Sequence, residues 1–235
     1  MKKNIIIILI ITIIVYLDYK GIIWHNELFA HWYPVKGLDI SHHQGDIKWD
    51  KIDSRNYQFV FIKATEGTTF IDDQFQKNWR ESKKRRFLRG AYHFFSFITA
   101  GQEQADYFMH CVSQDMGELP PVLDIEINDT VHVSDVSKIR DNIQQFLNRI
   151  EKVWNVKPIL YVTNESYNLL IKNQFDTYNI WIRSIFTPPI FLKNKKWAFW
   201  QYSNRGHING ISTYTDKNVF YGSLDQLKKL SSPTF

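Results

Sequence analysis

The chain predicts an α/β fold built around a parallel sheet, either closed into a barrel or open and doubly wound. After Lys36, short apolar runs alternate with helix-patterned segments roughly eight times. The chain is long enough, at 235 residues, and apolar enough, at 44% hydrophobic, to enclose one sizeable core. Acidic and aromatic residues also recur where the apolar runs stop, and strand ends are where barrels and open sheets place their chemistry.

The elements follow in order. Residues 5–17, IIIILIITIIVYL, come after a basic Met-Lys-Lys start and form a nearly unbroken apolar run, shorter than the roughly 20 residues that span a bilayer. This is the pattern of an export signal's apolar core. No small-x-small cleavage site follows at Asp18 to Gly21, which leaves an uncleaved membrane anchor open. The expected organisation is an export signal or anchor over 1–20, a spacer over 21–35 and one (β/α) domain over 36–230. Cys111 has no second cysteine to pair with, so no internal disulfide is expected.

Strands are expected at Gly37–Ile40, Phe59–Ala64, Arg89–Phe94, Val122–Ile127, Ile159–Val162, Ile180–Ile182, Ala198–Tyr202 and around Val219. The clearest helix covers Ser134–Trp154, with Ser134 as N-cap and Val136, Ile139, Ile143, Phe146, Leu147, Ile150 and Val153 on one face. A second covers Gln102–Val112, with Ala105, Phe108, Met109 and Val112 at helical spacing. No GxGxxG follows the first strand, so dinucleotide binding gains no support.

Much of the +5 formal charge sits in residues 77–89, KNWRESKKRRFLR, which could bind nucleic acid. Phe75 and Trp79, four residues apart, favour a helix with an inward apolar stripe and a solvated basic face, so no nucleic-acid partner is expected.

The chemistry concentrates in LPPVLDIEIND, residues 119–129. Side chains alternate along a strand, so Asp124 and Glu126 share one face while Leu123 and Ile125 take the other. Two neighbouring carboxyls in dry surroundings cannot both ionise freely, so one is driven towards the protonated form and can act as an acid while the other stays anionic. Glycoside cleavage needs that division of labour. Other strand ends add Asp39 in GLDIS, Glu66 after FIKAT, Tyr92 and His93 in GAYHFF, Tyr161 in PILYV, Gln201 in FWQYS, and Asp216 before NVF. The 16% aromatic content suits a groove on which sugar rings stack. Two other readings stay open at this level. One is a metal-dependent deacetylase or amidase with Asp39, His42 or His43 and the paired carboxylates as ligands. The other is a glycan-binding module without turnover.

GLDISHHQGDIKW, FVFIKATEGTTFIDDQF, LRGAYHFF, LPPVLDIE, AFWQYS and DKNVFYG, in that order, resemble the family 25 glycoside hydrolases, lysozymes that cut bacterial peptidoglycan. The match runs over about residues 36–223. The resemblance implies a modified (β/α)8 TIM-like barrel with fewer helices than strands. It implies cleavage of the β-1,4 bond between N-acetylmuramic acid and N-acetylglucosamine in peptidoglycan glycan strands, without metal or cofactor; with the N-terminal run, an exported monomer is expected. Carried over residue by residue, Glu126 is the general acid and Asp124 stabilises the reacting centre, directly or through the substrate's N-acetyl group. Asp39 and Asp216 match the remaining acids, and Tyr92, Tyr161 and Trp200 match groove aromatics, with Gln201 and Glu66 beside them as substrate contacts. WIRSIFTPP departs from the family pattern by placing Arg183 and Ser184 where a small residue and a basic or aromatic pair are common, which bears on substrate preference. Thr215 before Asp216 replaces an apolar residue, so the last strand is the least defined part of the match.

Overall fold

The computed structural model describes residues 2–112, 115–127, 135–191 and 196–230. The helices are α1 (Lys2–Tyr19), α2 (Glu27–Ala30), α3 (Phe75–Lys84), α4 (Gly101–Val112), α5 (Val136–Trp154), α6 (Asn164–Ser166), which runs into a π-helical turn at Tyr167–Ile171, and α7 (Leu224–Lys229). The strands are β1 (Val35–Ile40), β2 (Phe59–Glu66), β3 (Phe70–Ile71), β4 (Leu88–Phe94), β5 (Val122–Ile125), β6 (Ile159–Val162), β7 (Asn179–Arg183), β8 (Phe199–Gly206) and β9 (Thr215–Phe220).

Among the described residues the sheet runs β1-β9-β8-β7-β6-β5-β4-β2-β3, and a parallel β1–β2 pairing closes it into an eight-stranded barrel with β3 appended to the upper end of β2. Each expected strand is present. The sheet is not wholly parallel, however: β9 is antiparallel to both β8 and β1. The connection over residues 207–214 holds no helix, and it is too short for a parallel crossover of about a dozen residues or more. The closed barrel with fewer helices than strands is therefore as expected, with one strand reversed.

Strand alternation divides the apolar residues into two sets. Phe59, Phe61, Val122, Ile159, Trp181, Phe199 and Phe220 point inward and fill the lower barrel, where Phe61 stacks on Trp181 with ring centres 4.6 Å apart. Leu227 of α7 packs with this inner set. Leu38, Ile40, Val60, Ile62, Leu123, Leu160 and Ile182 belong to the outer set and meet the helices. In α5, Ile139, Ile143, Phe146, Leu147 and Ile150 are buried as the periodicity predicts, whereas Val153 is exposed in the last turn. The cap is Asp135, whose carboxylate accepts the Lys138 amide at 3.0 Å; the expected Ser134 lies outside the described residues. In α3, Phe75 and Trp79 are buried while Lys77, Lys83 and Lys84 form surface pairs with Asp46, Asp115 and Glu81. Arg89, from the same basic stretch, is fully buried against Glu118 and Asp115.

Residues 21–35, expected as a spacer, pack on the barrel. Trp24 is buried and donates to the Tyr202 carbonyl at 2.6 Å, and buried Asn26 donates to the Ile185 carbonyl at 2.7 Å. The reason is that β8 and β9 lack a covering helix between them, and this segment shields their outer face. The apolar side chains of α1 from Ile5 to Val15 are exposed, and among the described residues no helix is long and apolar enough to cross a membrane.

Gly37 shows how tightly the interior is filled: a Cβ there would lie 2.3 Å from the Phe59 ring. Gly37→Ala is expected to lower unfolding free energy by about 1–3 kcal/mol in urea titration, and Phe59→Leu in the same chain should recover part of the loss.

Candidate active site

Because side chains on the barrel's inner face alternate with outer ones, the last inward residue of each strand meets its counterparts at one mouth. β1 supplies Asp39, β2 Lys63, β4 Tyr92 and Phe94, β6 Tyr161, β7 Trp181 and Arg183, and β8 Gln201. β5 supplies Asp124, and Glu126 follows one residue past the strand's end. β9 runs the other way, so its beginning lies at this mouth, and Asp216 pairs in register with Asp39. These residues line one cavity of about 380 Å³, with His43, Gln44 and Tyr214 at its side. All four expected acids, Asp39, Asp124, Glu126 and Asp216, are thus brought together.

A chain of hydrogen bonds fixes the buried half of the site. The Tyr161 hydroxyl donates to Gln201 Oε1 at 3.0 Å, and Gln201 Nε2 donates to both Asp39 oxygens at 3.2 and 3.3 Å. From the other side, Trp181 Nε1 donates to Asn218 Oδ1 at 2.8 Å, and Asn218 Nδ2 donates to Asp39 Oδ2 at 2.6 Å. Trp181, Asn218, Lys63 and Arg183 were not among the sequence-predicted site residues. Parity could have found them: Asn218 lies two after Asp216, Trp181 and Arg183 share a face, and Lys63 lies two after inward Phe61.

Two expected contacts fall elsewhere. Trp200 is fully buried on the barrel's outer face, where Nε1 donates to the Ser184 carbonyl at 2.9 Å and the ring meets Tyr33 and Trp197 edge-on. Its neighbour Gln201 points inward, and adjacent strand residues cannot both do so; Trp181 supplies the aromatic wall instead. Glu66 does not line the cavity but holds the Lys63 ammonium at 2.7 Å from the rim. The metal-hydrolase alternative gains no support from the arrangement of its ligands. His42 Nδ1 is engaged by buried Asp72 at 2.8 Å, and among the described residues no group of three or more His, Cys, Asp or Glu is arranged to hold a metal.

The sequence pattern of Glycosyl hydrolases family 25 matches residues 38–211. The chain belongs to glycoside hydrolase family 25. Among its relatives, Lysozyme M1 of Streptomyces globisporus is 33% identical over 217 residues, covering 85% of this chain and 72% of that protein. The solved family 25 glycosyl hydrolase from Bacillus anthracis has 40% identity and a TM-score of 0.80, covering 85% of this chain and 94% of the other. The Streptomyces coelicolor lysozyme has 32% identity and a TM-score of 0.75, covering 86% and 98%.

In this family 25 enzyme, burial raises every one of the four acids. Asp124 is pushed well above the usual carboxylate range by burial and then by the charge of Glu126, with Lys63 opposing. Its buried Oδ1 has no protein partner among the described residues. Glu126 is raised by burial and held back by Arg183, the Tyr161 hydroxyl and Lys63. Asp216 is pushed well up by burial, then by the Asp39 charge and a hydrogen bond to Asp39. Asp39 is raised less, since Asn218 and Gln201 donate to its ionised form. Burial, reinforced by the nearby carboxylates, keeps Tyr92 and Tyr161 protonated far beyond neutral pH.

A carboxyl whose pKa is raised by folding favours the folded state below its ordinary pKa, and that advantage is lost as pH rises through the raised value. Asp124→Asn should therefore raise the melting temperature at pH 7 by about 2–4 °C, the shift that ~1 kcal/mol gives in a domain of this size. The gain should shrink to nothing below about pH 4, near the ordinary carboxylate range. Thermal scans across pH check both the sign and the window.

Proposed function

We propose that this glycoside hydrolase is a muramidase that cleaves the β-1,4 bond between N-acetylmuramic acid and N-acetylglucosamine in peptidoglycan, with Glu126 as general acid. The observation that carries the reading is the convergence of Asp39, Asp124, Glu126 and Asp216 on one cavity at the barrel mouth. The names of its relatives agree with it: beside Lysozyme M1, an N,O-diacetylmuramidase of a Chalaropsis species is 29% identical over 216 residues.

Glu126 suits the acid's role because it is raised by burial, is only partly buried itself, and stands one residue past β5, where it can reach a leaving oxygen. Asp124 lies deeper, with one oxygen free to engage the substrate's acetamido group or the reacting carbon. Asp39 and Asp216 pair in register on the facing wall, and both are raised by burial. Tyr92 and Tyr161 remain neutral hydroxyl donors that can orient sugar oxygens. All of these groups come from one chain, so a monomer suffices. Activity that depends on protonated Glu126 falls as pH rises through its elevated pKa, which sets the alkaline limb of the rate profile.

Glu126→Gln is expected to fold normally and lose about 10²- to 10⁴-fold in kcat on purified peptidoglycan, the usual contribution of a positioned acid. Mass spectrometry of fragments released by the native enzyme should find muramic acid at the new reducing ends. N-acetylglucosamine there would assign the cut to the other glycosidic bond.

The Met-Lys-Lys start and the apolar run 5–17 support export, with α1 as signal or anchor. Fractionation of a bacterial host producing the full chain should recover activity outside the cytoplasm. Deletion of residues 1–17 should shift it to the cytoplasmic fraction.

A further inference from the structure

The cavity lining contains two basic side chains, Lys63 and Arg183, and they stand in different circumstances. The Lys63 ammonium is committed: it is 2.7 Å from Glu66 and lies over the rings of Phe94 and Phe70, at 4.9 and 5.2 Å from their centres. Arg183 ends β7 on the same inward face as Trp181 and lines the cavity beside the acids. Among the described residues its guanidinium makes no hydrogen bond or ion pair with the protein, although its field reaches Glu126, Asp124 and Asp216. A partly buried guanidinium with open donors, facing a substrate cavity, is a receptor for a planar anion, since its fork matches two carboxylate oxygens.

We propose that Arg183 binds a carboxylate of the substrate, namely the free 3-O-lactyl carboxylate of N-acetylmuramic acid, and so directs the enzyme to glycan strands stripped of stem peptide. The inference rests on the muramidase reading. When a stem peptide is attached, the lactyl group is an amide and offers Arg183 one neutral carbonyl oxygen, without the opposite charge and the second oxygen that a bidentate carboxylate pair supplies. A carboxylate within the stem peptide is the other source of the same chemistry. It lies at least one residue farther out, about 3.5 Å or more, whereas the lactyl ether is attached to the sugar ring that must sit against Glu126 for its bond to be cut.

The test compares three substrates with the full chain: glycan strands freed of peptide by an amidase, the same strands with lactyl carboxylates converted to methylamides, and peptide-bearing strands. Native enzyme should cut the free-acid strands with about tenfold higher kcat/KM than the methylamide strands, mostly through KM, since the methylamide gives up the opposite charge and the second oxygen of the fork. Arg183→Gln should remove that preference and Arg183→Lys should keep part of it, with circular dichroism checking the fold of both. A preference that survives in Arg183→Gln overturns the proposal. A parallel loss on all substrates with a displaced pH profile also overturns it, by making Arg183 only a counter-charge for the acids. Selective cutting of peptide-bearing strands, lost in Arg183→Gln, would assign the carboxylate to the stem peptide and overturn the lactyl assignment. If native enzyme releases no muramic acid ends from any strand, the muramidase reading itself falls, a result distinct from the loss of selectivity.

Discussion

The register pairing of Asp39 with Asp216 across β1 and β9 is the constraint around which the site is organised. It exists because β9 returns antiparallel and brings the start of its strand to the mouth where the other strands end. With the barrel closed on both sides of this pair, the two carboxyls face each other in poorly solvated surroundings, and burial raises the proton affinity of both. Gln201 and Asn218, neutral amides rather than cations, supply the remaining donors. Cations at those positions would pull both carboxyls back towards full ionisation.

Beneath that polar layer the barrel is dry. Phe59, Phe61, Trp181, Phe199 and Phe220 interlock in mostly edge-on and tilted contacts, and Trp181 also reaches up to bond Asn218. The floor thus excludes water and orients a donor one shell away from Asp39. Burying four acids works against folding at neutral pH, and this apolar floor, together with the helix-facing outer layer, offsets that cost. Around β7–β9, where helical cover is sparse, Trp24, Asn26 and Ala30 join Trp200 and Tyr202 in shielding the sheet. The approach to the barrel is therefore part of its wall.

Much of this was legible in residue order. The eight strands, the buried stripes of α3, α4 and α5, and the shared face of Asp124 and Glu126 follow from periodicity, because burial on one face leaves a period of two or 3.6 in the chain. The direction of β9 was not legible, since a short apolar run does not encode its sense, and the connection after β8 is seen to be short only once β8 is found to run on to Gly206 and β9 to start at Thr215. Trp200 was misplaced because an aromatic at a strand end has the same composition whether it faces the groove or the helices, and its neighbour Gln201 decides the parity. Trp24 and Asn26 carried no periodic signal, since their partners are backbone carbonyls about 160 and 180 residues away.

The sequence by itself determined the kinds of element, the family and the identity of the acids, because these rest on local spacing and motif order. Only the tertiary structure decided which cation is committed, which tryptophan lines the cavity, which acid faces which, and how unequal their proton affinities are. Those properties depend on distance and dielectric, and closing the barrel sets both at once for residues as far apart in the chain as Asp39 and Asp216.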